Sequence, residues 1–245
     1  MMVKKIYIVG DRFNKFADNE NVVSVSKVES DLFKGSLNIN GVVYELGQGV
    51  SAERVRHILV EVKKYPGLDK YFQFSEIEKS YKNLVHKFNV ANSMITKPEK
   101  LSANRYRTDV YIDDQCDDIK DHITGQHIPG MALSEACRQM FLAVTELYYL
   151  RSQLFSHYFV INTSAIEYYK FVFPLDISIN YMIDEFERKS HGSLKFSVTM
   201  EVIQAGKVCA LVKYGFSTYE SKFLHEKESE AAIKALRQDE EVLHA

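Results

Sequence analysis

The side chains best able to do chemistry gather in one run, DHITGQHIPGMALSEACRQ, residues 121 to 139. His122 and His127 lie in a loop that reaches Pro129-Gly130, a pair that opens helices. The first amides of a helix have no partner within it, and the helix dipole reinforces them, so they can hold an oxyanion or polarise a carbonyl. Glu135, Arg138 and Gln139 follow one to two turns later. In a low-dielectric site Glu135 has a raised pKa unless Arg138 and the dipole counter it, which suits a general base or an orienting group. The i,i+3 spacing of Glu135 and Arg138 is equally that of a structural ion pair.

The element that carries these groups is a long helix over residues 130 to 152. Leu133, Ala136, Cys137, Met140, Val144 and Leu147 form one face, while Met131, Leu142 and Leu150 lie elsewhere around the axis. A helix apolar nearly all round is normally buried, and its polar residues then need partners. Cys137 is in register with the apolar stripe and reads as packing. Ser134 has no base at a spacing that would activate it.

Strands surround this helix. Tyr106, Thr108, Val110 and Ile112 alternate over residues 105 to 112, and further strands are expected at 171 to 187, 193 to 203 and 207 to 219. Gln204-Ala205-Gly206-Lys207 can turn the second-last strand into the last as an antiparallel hairpin. The N-terminal part reads as a small α/β unit. Its strand VKKIYIV covers residues 3 to 9, a second strand region with a turn at Asn40-Gly41 covers 36 to 46, and a helix capped by Ser51 runs to Pro66-Gly67. The polar stretch at 74 to 83 marks a boundary, giving units 1–80 and 81–225, with a charged helix or tail at 226–245. Gly47-Gln48-Gly49 can cradle a phosphate, although a plain turn into the helix explains it as well.

A net charge of −2, with 46% hydrophobic and 26% charged residues, argues against a nucleic-acid partner and for a soluble globular protein. No apolar run approaches a membrane span, and the start lacks a secretory pattern. Cys116, Cys137 and Cys209 are too far apart for a disulfide framework or zinc site, so a reducing, cytoplasmic setting is expected. No metal, phosphate-loop or dinucleotide motif is present, and no metal or other cofactor is expected.

The run Asp121-His122-Ile123, Gly125-Gln126-His127-Ile128-Pro129-Gly130-Met131, Leu133, Glu135-Ala136 and Arg138-Gln139 resembles the signature of the A-factor biosynthesis (AfsA-like) hotdog family. Val85-His86-Lys87 and the NSMIT stretch at 92 to 96 are similar to that family's opening segment. The resemblance implies an α+β hotdog fold, an antiparallel sheet wrapped around a long central helix. It also implies transfer of a β-ketoacyl group from acyl carrier protein to a small hydroxylated acceptor such as dihydroxyacetone phosphate, leading to γ-butyrolactone signals. On that reading Glu135 is base or orienter and His122 acid/base. Arg138 and Gln139 position Glu135 or the acceptor, and the amides near Gly130 and Met131 hold the thioester carbonyl. Asp121, Gly125 and His127 line the substrate site. The substrate is then a phosphopantetheine or CoA thioester.

The segment is also similar, more distantly, to hotdog dehydratases, with a loop one residue shorter. Family members commonly carry two hotdog repeats and this chain has one motif, so a homodimer is expected to supply the second unit. A dehydratase or thioesterase, and a non-catalytic acyl-binding module, stay open as alternatives.

Overall fold

Ser24 and Ser51 start the two helices of the N-terminal unit in the same way, each side chain accepting the amide three residues on, from Lys27 and Arg54 at 3.3 Å. In the computed structural model, which describes residues 3–80, 83–123, 125–150, 157–189 and 192–243, this unit is built from β1 (Lys4–Val9), the short α1 (Asn14–Ala17), β2 (Val22–Ser24), α2 (Val25–Lys34), β3 (Val42–Leu46) and α3 (Ala52–Lys63). Val25, Val28 and Leu32 of α2 and Val55, Ile58 and Val62 of α3 are buried, one apolar face for each helix. The three strands are parallel in the order β2-β1-β3. The strand region expected at 36–46 is narrower than its range: only the part after the Asn40-Gly41 turn is extended, with Gly41 at φ +66°.

Beyond it come β4 (Glu99–Lys100), β5 (Arg105–Val110), α4 (Asp117–Lys120), α5 (Gly130–Thr145), β6 (His157–Tyr168), β7 (Ile177–Arg188), β8 (Leu194–Gln204), β9 (Lys207–Glu220) and α6 (Ser221–Leu243). The strands make one antiparallel sheet in the order β4-β5-β7-β8-β9-β6. Ala205 and Gly206 both have positive φ, the signature of the two-residue hairpin turn that matches strand twist, so the expected β8–β9 hairpin forms. Leu194, Phe196, Val198, Met200 and Val202 all point inward, and with the apolar residues of α5 they form one core. Phe141 of α5 stacks on Phe216 of β9 at 4.3 Å. The arrangement is the expected one of a long buried helix against an antiparallel sheet. After Thr145 the helix widens into a π-turn, Glu146–Leu150. The expected end at 151 and 152 lies outside the described residues.

Two strand expectations change. The strand placed at 171–187 begins only at Ile177, because the Gln204 side chain ties down the preceding loop, accepting from Phe173 N and donating to Phe173 O, both at 2.9 Å. Strand β6 was not expected at all. It pairs with β9 on one side and forms the free edge of the sheet on the other.

The N-terminal unit docks by the ends of its strands. Gln48 donates through Nε2 to Val110 O and Leu175 O and accepts Ile112 N at 2.8 Å, while its own amide donates to Pro174 O. In a 2-1-3 parallel sheet the crevice at the strand C-termini is where α/β proteins take a ligand. Here the backbone of 110–112 and 174–175 occupies it. A Cβ on Gly10 would lie 1.7 Å from Gly49 O, and one on Gly47 would lie 2.4 Å from Pro174 O. The Gly47-Gln48-Gly49 turn is therefore a docking staple, and its three amides, donated to Ile8 O, Pro174 O and Ile112 O, are taken up by the fold and not offered to a phosphate.

Candidate active site

Helix α5 has one polar stripe. At about 100° per residue, Glu135, Gln139 and Glu146 fall within roughly 40° of one another, and Arg138 flanks them. Burial forces each of these groups to find a partner, and most partners come from the segment 84–94. Gln139, fully buried, donates to Asn92 O at 2.7 Å and to Glu135 Oε1 at 3.0 Å, and its Oε1 accepts Met94 N at 2.8 Å. Lys87 Nζ reaches Glu135 Oε1 at 2.8 Å and stands 4.0 Å from Asp118 Oδ2 of α4. Arg138 donates to both oxygens of Glu135, from Nε at 2.6 Å and from Nη2 at 2.9 Å.

Glu135 thus accepts four donors. Burial pushes its carboxyl up, but the bonds from Arg138, Lys87 and Gln139 outweigh that, and the net shift is downward. Of the two roles open to Glu135, the arrangement suits orienting better than proton transfer. For Asp118 the balance is reversed: burial, with Glu135 close by, raises its carboxyl against the pull of Lys87 and Arg138.

The loop before α5 is less tightly gathered. Asp121 and His122 are exposed and line a surface recess with Asp117, Asp118 and Ile123. Among the described residues no hydrogen bond or ion pair joins His122 to Glu135; His122 shares the recess with Asp118, which stands 4.0 Å from the Lys87 that holds Glu135. Gly125, at φ +62°, accepts the Phe16 amide at 3.1 Å, and a Cβ there would meet Asn14 Oδ1 at 2.7 Å. Its place is thus at the seam with α1. His127 is half-buried, its ring 4.9 Å from that of Phe171. Among the described residues no side-chain cap is made at the N-terminus of α5, where Pro129 stands at the cap position. Tyr168 donates to Gly130 O at 2.9 Å and covers the position a Cβ would take, while Met131 is 72% exposed.

Ser134 pairs with the Tyr214 hydroxyl at 3.1 Å, and burial pushes the Cys137 thiol well above its usual value, so both serve packing. Three residues of the stripe's surroundings escaped the sequence reading as site candidates: Lys87, Asp118 and Glu146. Glu146 is 1% exposed and its Oε1 lies 3.0 Å from His86 Nε2, a pair sixty positions apart in the chain. The available signal was its spacing, three turns beyond Glu135 on the same face.

A long helix buried by an antiparallel sheet, with a charged stripe facing the segment that leads into the sheet, defines a hotdog-type protein with a candidate site on its central helix. The family model described as the A-factor biosynthesis hotdog domain matches residues 69–219, and the chain belongs to that family, and with it to the hotdog proteins that process acyl thioesters. No curated protein matches the chain. Solved structures similar to it include a mutant thioesterase from Pseudomonas aeruginosa, at 10% identity and TM-score 0.37 over 51% of this chain and 81% of that one. Another is a hypothetical thioesterase with coenzyme A from Streptococcus pneumoniae, at 15% identity and TM-score 0.36 over 50% of this chain and 84% of that one. Among the described residues no helix is long and apolar enough to cross a membrane.

Proposed function

We propose that this protein transfers an acyl group, a β-ketoacyl group on the family resemblance, from a phosphopantetheine or CoA thioester to a small hydroxylated acceptor. The observation that carries the reading is the charged stripe held inside the family's own motif, Glu135 gripping Arg138 and Lys87 on a helix otherwise given to packing. A buried carboxylate with four donors keeps two cations in fixed places, and fixed cations can receive an anionic acceptor or carrier group. The uncapped amides at Gly130 and Met131 supply a second place for an oxyanion, either the thioester carbonyl oxygen or a phosphate. The resemblance gives proton transfer to His122, which stands at the rim of the recess with Asp121.

A second copy of the chain fits the free edge formed by β6, where Tyr158, Ile161 and Tyr168 are 45%, 44% and 50% exposed. The outer edge of this twelve-residue strand, whose other side pairs with β9, offers backbone donors and acceptors to another strand. The recess at His122 is open to solvent, which favours thioester hydrolysis as the second reading.

Incubating the full chain with β-ketoacyl carrier protein and dihydroxyacetone phosphate, followed by mass spectrometry, tests the assignment. An acyl ester of the acceptor is the expected product. Free acid alone supports hydrolysis, and an unchanged thioester refutes catalysis. Glu135→Gln and His122→Ala then test the roles given to those residues.

A further inference from the structure

The stripe on α5 has a saturated end and an unsaturated one. At Glu135 every carboxylate oxygen is engaged. At Glu146 one oxygen faces His86 and the other, Oε2, is buried with no hydrogen-bond partner among the described residues. Such an atom costs free energy, and native structures keep few of them. Two further irregularities meet at the same place. His86 has φ +52°, a left-handed conformation uncommon outside glycine. Glu146 opens the π-turn at the end of α5, the kind of helix defect that gathers at functional sites. The Phe159 ring stands edge-on to His86 at 5.2 Å.

We infer that His86 and Glu146 form a histidine–carboxylate pair that moves the proton in the acyl-transfer reaction, His86 touching the substrate and Glu146 positioning it. This rests on the acyl-transfer reading and gives its proton step to His86 in place of His122. The geometry has the logic of a buried carboxylate behind a catalytic imidazole. Glu146 is 1% exposed, whereas the His86 side chain is 28% exposed, so the ring is the member that solvent and substrate reach. In the proposed pair Glu146 accepts through Oε1 and the ring proton sits on Nε2. A carboxylate lacking a second donor leans harder on that proton and stabilises the imidazolium that forms.

The neighbouring side chain explains how this residue is held. Lys87 is tied to Glu135, so the saturated end of the stripe anchors the turn that presents His86 to the unsaturated end. In the reaction, the acceptor O–H bond breaks and its proton passes to His86. The acceptor oxygen bonds to the thioester carbonyl carbon, and the C–S bond breaks with its electron pair on sulfur. His86 then returns the proton to the thiolate, leaving an ester and the free carrier thiol. Glu146 lies roughly 24 Å along the helix from Gly130 at 1.5 Å per residue, so the α5 N-terminus is left to hold an anionic end of the substrate and not the reacting carbonyl.

His86→Asn is the informative variant, because asparagine tolerates the left-handed backbone and can still donate to Glu146. With acetoacetyl-CoA and dihydroxyacetone phosphate, and release of CoA thiol as the readout, His86→Asn is expected to lower kcat about 100-fold or more with KM within threefold. Glu146→Gln should lower kcat about tenfold or more and shift the pH at which activity appears. A kcat for His86→Asn within threefold of wild type overturns the assignment. Long-range proton–nitrogen NMR of the histidine rings gives a second measurement independent of turnover. The His86 ring should carry its proton on Nε2 in the wild type and lose that preference in Glu146→Gln. If wild type releases no thiol, the acyl-transfer reading falls by itself and the NMR result judges the pair: an Nδ1–H ring, or one indifferent to Glu146→Gln, refutes it.

Discussion

Replacing Glu135 by glutamine keeps the shape of the side chain and removes the charge on which the stripe is organised. Four donors now converge on the carboxylate, Arg138 Nε and Nη2, Gln139 Nε2 and Lys87 Nζ, at 2.6, 2.9, 3.0 and 2.8 Å. The glutamine amide turns one acceptor into a donor, so at least one cation faces an N–H group. Hydrogen bonds to charged groups contribute about 1.5–3 kcal/mol each, and breaking a buried pair costs about 3–5 kcal/mol. Lys87 and Arg138 are 21% and 29% exposed, so water recovers part of this loss. We expect a net destabilisation of about 2–3 kcal/mol, which for a chain of this size lowers Tm by about 5–10 °C.

The pH dependence gives the test its sign. The folded carboxyl titrates below its ordinary value, so Glu135 stabilises the fold above that ordinary value and stops doing so as pH falls through the folded one. Calorimetry of wild type and Glu135→Gln should therefore show the full gap at neutral pH and converging melts below about pH 4. Adding Lys87→Met to Glu135→Gln removes an orphaned cation and should restore part of the loss. A Tm within about 1 °C of wild type at neutral pH would refute the claim that Glu135 organises the site.

Other consequences are open to direct measurement. Gln48→Ala removes the side-chain partner of two buried backbone groups, Val110 O and Ile112 N, and of the half-buried Leu175 O, and should cost about 3 kcal/mol; limited proteolysis should then cut first between residues 1 and 80, and an unchanged digestion pattern argues against the docking staple. Asp114 has a buried carboxyl oxygen without a partner, and burial with Asp113 beside it raises its carboxyl. A raised folded value stabilises only while the group is protonated, so Asp114→Asn should raise Tm at neutral pH and have no effect in acid. Ile161→Lys places a charge on the free edge of β6 and should convert a dimer to a monomer in light scattering, with unaltered mass disproving the edge pairing.

How much of this was visible in the chain depends on whether a residue's environment is local. The β8–β9 hairpin and the buried helix were legible because alternation and turn chemistry lie within a dozen neighbouring positions. Glu135, Arg138 and Gln139 stood out for the same reason, as polar groups on a helix apolar nearly all round. β6 escaped because an edge strand exposes most of its length, and Tyr158 to Tyr168 therefore shows no clean alternation. α2 had both a Ser24 cap and the Val25, Val28, Leu32 spacing, so it could have been found. The site divides along the same line. A helix can announce that it buries charge, but the partners Lys87, Asn92 and Met94 come from a segment forty or more residues away, and only folding brings them in. The same reasoning reaches Glu146. A carboxylate three turns from Glu135 on a buried face must either be paired or be held for use, and a second histidine-bearing segment is what the fold provides. The motif around residue 135 thus identifies the helix, and the pairing that leaves one oxygen unclaimed points to where on that helix the chemistry is done.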